Sequence, residues 1–182
     1  MAKLGKIKAS LEGLSQTINL KEVFGRDVSD RPALKQAFAQ AVIDHIVERS
    51  ESGKAVTGRN LKKPYSDEYA ETLEFLAAGK SKGAVNMKLT GDMLRSIDLI
   101  DEDAQTITIG IDDPNEAPKA FNHQTGDTVP KRPFFGINQR ELNDIAGEFD
   151  LGPESPGPDA GPSVFQSFAL EFLRGLRGQS ED

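Results

Sequence analysis

The stretch Thr106-Ile107-Thr108-Ile109-Gly110-Ile111 alternates isoleucine with small side chains without a break. Successive side chains of a strand point to opposite faces, so the three isoleucines share one face and Thr106, Thr108 and Gly110 the other. The pattern predicts a half-buried strand. Its expected antiparallel partner is Ile97 to Ile100, reached across the acidic turn Asp101-Glu102-Asp103. The cover for the apolar face is predicted upstream. Asp30 as N-cap and Pro32 in the first turn open a helix in which Leu34, Phe38, Ala41, Val42, His45 and Ile46 recur near the 3.6 period. It should end between Ser50 and Gly53. A long helix packed on a small antiparallel β-sheet is an α+β core.

Working outward, residues 1–28 carry scattered Gly and Lys with no firm periodicity and read as a loosely structured N-terminal extension, leaving 29–149 as the core domain. A basic loop from Lys54 to Lys63 leads to Ser66, a cap for a second helix carrying Tyr69, Leu73, Leu76 and Ala77 and stopped by Gly79. Residues 80–88 read as a loop and Leu89 to Ile97 as a short helix or turn. After Pro114 a short helix includes Ala120, Phe121 and His123 and breaks at Gly126. Pro130 and Pro133 then hold an extended piece through Phe134 and Phe135. Neighbouring rings on a strand face opposite ways, so one is expected in the core and the other outward beside Arg132, as interface hot-spot chemistry. Asn138 with Glu141 three residues later forms a capping pattern for a helix burying Leu142, Ile145, Ala146 and Phe149.

Seven of the fourteen residues from Asp150 to Ser163 are Gly or Pro, the composition of a linker. Beyond it, residues 164–182 hold Phe165, Phe168, Phe172 and Leu176 on one helical face, an amphipathic helix. Burying each Phe is worth roughly 1.5–3 kcal/mol. The face is therefore expected to dock on its own domain, a neighbouring copy or another protein.

The chain has 182 residues and a formal charge of −7, with no Cys. Thiolate chemistry and disulfides are excluded, leaving two His and the carboxylates as metal ligands. No apolar run approaches the roughly 18 residues of a membrane span, and no signal-type segment follows the basic N-terminus. The expectation is a soluble, unsecreted protein with no membrane partner. Acidic balance also argues against a general nucleic-acid binder, although Lys119, Lys131, Arg132 and Arg140 form a small basic group suited to phosphate or to a protein interface.

Candidate chemistry is thin. His45 sits beside the main helix's apolar face without a ligating neighbour at i+4. His123 has Asp127 four residues on, but Gly126 interrupts the register. A metal-dependent hydrolase at His123 would need more convergent groups than these, and phosphate-binding loops and nucleophile elbows are missing from the sequence. No cofactor, metal or catalytic residue is expected. Seven carboxylates lie between Asp98 and Glu116 with no Lys or Arg among them, a pattern suited to solvated turns or a hard cation.

Four ordered blocks carry a resemblance. They are Leu89-Thr90-Gly91-Asp92-Met93-Leu94-Arg95-Ser96-Ile97, the strand closing on Thr108-Ile109-Gly110, Ala120-Phe121-Asn122-His123-Gln124-Thr125-Gly126, and Pro130-Lys131-Arg132-Pro133-Phe134-Phe135-Gly136. Upstream lies Lys63-Pro64-Tyr65-Ser66 with Tyr69. Over about residues 30–149 the chain resembles the phage virion morphogenesis family, tail completion or neck proteins of long-tailed bacteriophages. The resemblance implies a non-enzymatic structural subunit, assembled into a homo-oligomeric ring, commonly a hexamer, between head connector and tail tube. Its implied partners are copies of itself, head-side connector or adaptor proteins, and tail tube or terminator proteins. DNA would pass through the channel without specific binding; by its charge the acidic segment Asp98 to Glu116 would suit the channel wall, where like charge keeps DNA from sticking. The implied location is the virion neck, after assembly in the bacterial cytoplasm. Thr90-Gly91 and Leu94 would define the fold, while His123, Gln124, Arg132, Phe134 and Phe135 would shape the sheet and subunit contacts. With Phe165, Phe168, Phe172 and Leu176 they make up the expected interface. An assembly chaperone or scaffold absent from the mature particle would make similar demands on sequence.

Overall fold

The computed structural model describes residues 5–61, 64–83, 85–87 and 91–149. The chain divides into two units at Phe149/Asp150, where the Gly/Pro-rich stretch begins, and the first unit is described below. The expected linker, the amphipathic helix with Phe165, Phe168, Phe172 and Leu176, and Leu89-Thr90 lie outside the described residues.

The fold is α+β. Four antiparallel strands, β1 (Lys8–Ser10), β2 (Gly13–Asn19), β3 (Asp98–Glu102) and β4 (Thr106–Ile111), are ordered β1-β2-β4-β3. The alternation in β4 has the consequence read from it, with Ile107, Ile109 and Ile111 fully buried. Their partners in β2 are Ile18, Gln16 and Leu14, so both strands contribute to one inward face. On the other face the Thr17 and Thr108 hydroxyls lie 3.0 Å apart. β3 pairs with β4 as expected, but Asp101 and Glu102 belong to the strand, and the ladder skips a residue between Leu99 and Asp101. A bulge of this kind re-aims side chains. Here Ile100 comes to lie over Gly110, where a Cβ would stand 2.8 Å from its Cδ1 and press on the Leu14 carbonyl.

The described part of the expected loose extension, residues 5–28, is therefore built into the core domain. β2 occupies the sheet centre, and α1 (Leu20–Phe24) follows, capped by the Asn19 side chain and closed by Gly25 in the left-handed region. The signal in Leu14-Ser15-Gln16-Thr17-Ile18 was diluted because one inward position is a glutamine. That Gln16 is buried and satisfied: Oε1 accepts from Ile137 N at 2.8 Å, while Nε2 reaches the carbonyls of Gly5 and Ile137.

The long helix α2 (Pro32–Glu51) packs on β3 and β4. Pro32 opens it as expected, but Arg31 occupies the cap position without a side-chain cap bond, and Asp30 does not serve. Phe38, Val42 and Ile46 are fully buried. Phe38 joins Phe24 and Phe149 in an edge-to-face cluster, with centroids 4.9 and 5.6 Å from Phe38. Lys35 is also buried, pairing with Glu102 at 2.7 Å and donating to the Asp103 carbonyl. The helix thereby caps the β3–β4 turn with a charge.

The helix expected after Ser66 is split into α3 (Asp67–Ala70) and α4 (Leu73–Ala77). Ser66 caps α3 as expected, and Thr72 caps a new start by accepting from Phe75 N. The restart changes the helical phase, so Phe75 turns inward while Leu73 and Leu76 are 81% and 59% exposed. α5 (Asp92–Arg95) follows Gly91. α6 (Ala117–Thr125) packs on β1 and β2 and ends at Gly126 with φ +82°, and α7 (Gln139–Ala146) carries the expected capping box of Asn138 and Glu141.

Candidate functional site

Two tyrosines begin the site. The Ser66 cap starts α3 so that Tyr69 returns beside Tyr65, with ring centroids 5.4 Å apart, and Phe75 completes the cluster at 5.1 and 5.3 Å. The Tyr65 hydroxyl donates to the Asn86 carbonyl, and Lys80 Nζ donates to the Tyr65 hydroxyl at 3.2 Å. Lys80 Nζ and Arg132 Cζ each lie 4.9 Å from the Tyr65 ring centroid. A π face attracts cations, which is how one ring holds two positive groups close together.

The opposite wall comes from α6 and the segment after it. Gly126 reverses the chain, and Arg132 N donates to the His123 carbonyl at 2.7 Å, bringing Arg132 alongside the helix. His123 faces the cleft, and its Nδ1 is buried with no hydrogen-bond partner among the described residues. Burial first, then the positive charges of Arg132 and Lys80, push the imidazole down to about 4, so it is neutral at pH 7. Burial and Arg132 push Lys80 down to about 8. Burial raises both tyrosines, with Arg132 opposing it.

Together these walls enclose a cleft of about 540 Å³ that is also lined by Met87, Met93 and Pro130. Its rim holds two internal ion pairs, Lys119 with Glu116 at 2.6 Å and Arg95 with Asp92 at 2.5 Å. With His123 neutral, Lys80, Lys119, Arg132 and Arg95 stand against Glu116 and Asp92, a net charge of +2. Such a cleft can hold an anion on an apolar body. Among the described residues no group of three or more His, Asp or Glu is placed to hold a metal ion.

The residues singled out by sequence separate into three sets. His123 and Arg132 meet in the cleft. Gln124 does not: its Nε2 donates to the Phe135 carbonyl at 3.3 Å and its Oε1 accepts from Phe135 N at 3.2 Å, so it clamps the backbone. Phe134 and Phe135 are both 0% exposed, 6.5 Å apart, which corrects the expectation of an outward ring and an interface role. The physical reason is that the segment is not an edge strand. Gly136, with φ +107°, bends it, and core lies on both sides. Arg132, expected beside an exposed ring, is itself buried.

The acidic run also has internal duties. Asp103 accepts from the Gln105 and Thr106 amides, Asp113 from those of Asn115 and Glu116, and Glu102 pairs with Lys35. Sequence reasoning missed Lys80 and the joint role of Tyr65 and Tyr69. Tyr65 and Tyr69 were visible as a pair four residues apart across a helix cap, but Lys80 sits in a loop with no pattern to mark it. No helix of the described residues is long and apolar enough to cross a membrane. Comparison of the chain with protein-family models, curated proteins and solved structures finds no match.

Proposed function

We propose that the chain is a structural subunit of the neck of a long-tailed phage, closing into a ring with copies of itself and joining the head connector to the tail. One observation carries the reading: a lone chain leaves surface that a ring would cover. Among the described residues both outer strands, β1 and β3, have a neighbour on one side only, and β1 is exposed along its whole length. Open edges invite pairing with another chain. Leu73 and Leu76 add exposed apolar surface beside the cleft-forming α3. Further support comes from parts of the resemblance blocks: Tyr65, Ser66 and Tyr69, Gly91 to Met93, His123, and Pro130 with Arg132 line one cleft, while the Thr108-Ile109-Gly110 block lies in the sheet.

The Phe-rich segment after the linker fits the same reading as a contact with another subunit or ring. Deleting residues 150–182 is expected to shift the assembled protein to smaller species in sedimentation velocity while far-UV circular dichroism of the core is retained. Normal assembly by the truncated protein contradicts this. Detection of the chain in purified particles separates a resident neck protein from an assembly chaperone that departs before maturation.

A further inference from the structure

The cleft between α3 and α6 has the attributes of a ligand site independently of any ring. Its volume of about 540 Å³ falls within the range of small-molecule pockets, roughly 300–1,000 Å³. Two cationic groups converge on one tyrosine ring, and a buried imidazole nitrogen next to them has no hydrogen-bond partner among the described residues. Leaving a buried polar atom unsatisfied costs about 1–3 kcal/mol, and crowding like charges adds to that cost. An anion accepting from all three groups removes both penalties. With its proton on Nδ1, a neutral imidazole adds a neutral donor to the charge-assisted ones of Lys80 and Arg132.

The class of anion follows from the lining. Glu116 and Asp92 at the rim are offset by Lys119 and Arg95, so the cleft attracts an anion chiefly through Lys80 and Arg132. A carboxylate places its oxygens beside these cations while its body covers the apolar lining, whereas free phosphate carries no body to cover that lining. The remaining lining is aromatic and thioether surface, which selects for an apolar body.

We propose that this cleft binds a carboxylate carried on an aromatic or branched aliphatic body, the carboxylate between Lys80, Arg132 and His123 and the body against Tyr69, Met87 and Met93. That chemistry is shared by free aromatic acids and by the terminal carboxylate of a polypeptide ending in an apolar residue.

The test uses the full chain, with binding followed by calorimetry and by the His123 ring signals in NMR. The probes are 3-phenylpropionate, the dipeptide N-acetyl-Leu-Phe with a free carboxylate, its C-terminal amide, and inorganic phosphate. At least one carboxylate is expected to bind at a single site with Kd of about 1 mM or tighter, a ligand efficiency ordinary for its size. The amide and phosphate should bind at least ten-fold more weakly. Saturation should raise the His123 midpoint by about one unit, because a nearby negative charge favours imidazolium. Lys80→Met keeps the stem against Tyr65 and should weaken binding at least ten-fold. Tighter binding of the dipeptide assigns the source to a polypeptide end, and tighter binding of 3-phenylpropionate assigns it to a free acid. The proposal is overturned by equal affinity for the amide, by preference for phosphate, by no binding at 20 mM probe (about twenty times that Kd), or by binding that leaves His123 unshifted.

Discussion

Replacing Arg49 with methionine removes a charge from the centre of the core while keeping most of the stem's volume. In the native protein its Nη1 donates to Glu141 Oε2 at 2.7 Å, and its Nη2 donates to the carbonyls of Phe134 and Gly136 at 2.7 and 2.6 Å. Glu141 Oε2 also accepts from Asn138 N, so one guanidinium ties α2 to the cap of α7 and to the bend that carries both buried Phe rings. Burial lowers the Arg49 pKa and Glu141 opposes that shift, which is the signature of a cation kept charged by its partner. Breaking such a pair costs about 3–5 kcal/mol, because the carboxylate and two carbonyls are left without their donor. Glu141→Gln retains a cap and a polar partner, and its cost should be about 1–2 kcal/mol. The double variant should fall short of the sum by about 1 kcal/mol or more, as expected for groups in one network. Urea unfolding followed at 222 nm measures all three, with unchanged m-values as the check that the denatured state is the same. An Arg49→Met cost below about 1 kcal/mol, or strict additivity, refutes the reasoning.

Phe134→Ala and Phe135→Ala should each cost about 3–5 kcal/mol in the same assay, since both rings are fully buried; a cost below 1 kcal/mol for either would mean that ring faces solvent. Gly110→Ala should destabilise by about 1–3 kcal/mol because its Cβ would meet both Leu14 O and Ile100, and a neutral result would show that β3 gives way freely. Stability should rise with pH between about 4 and 6.5, because the unfolded chain protonates His123 at its ordinary 6.5 and the folded one only near 4. The contribution is about 1–3 kcal/mol, and His123→Gln should abolish that slope; an unchanged slope in the variant removes His123 as its source. Below about 4.5 a separate loss is expected as Glu141 protonates. There burial raises its pKa, but the Asn138 amide and Arg49 outweigh burial and hold it low, so its stabilisation is lost as pH falls through the folded value.

Strong periodicity made parts of the fold legible in advance. Ile107, Ile109 and Ile111 announced the inward face of β4, Asn138 with Glu141 announced the start of α7, and Gly126 the end of α6. β2 escaped notice because Gln16 stands at an inward position, and only its distant bonds to Gly5 and Ile137 make a buried amide tolerable there. The burial of Lys35 and Arg49 in α2 has no local signal for the same reason: their partners Glu102 and Glu141 lie far along the chain. Phe134 and Phe135 were misread because strand alternation was applied to a segment bent at Gly136. His123 and Arg132 were singled out, but the cleft they share also needs Tyr65, before α3, and Lys80, which a loop without any pattern brings in after α4.

The proposed ring is tested most directly by the size of the species that this chain forms in solution. Native mass spectrometry of the purified full-length protein across a dilution series, with class averages from electron microscopy, is expected to give a closed ring of identical subunits that persists well below micromolar concentration. A monodisperse monomer throughout that series, with no larger species on adding head or tail components, would contradict it.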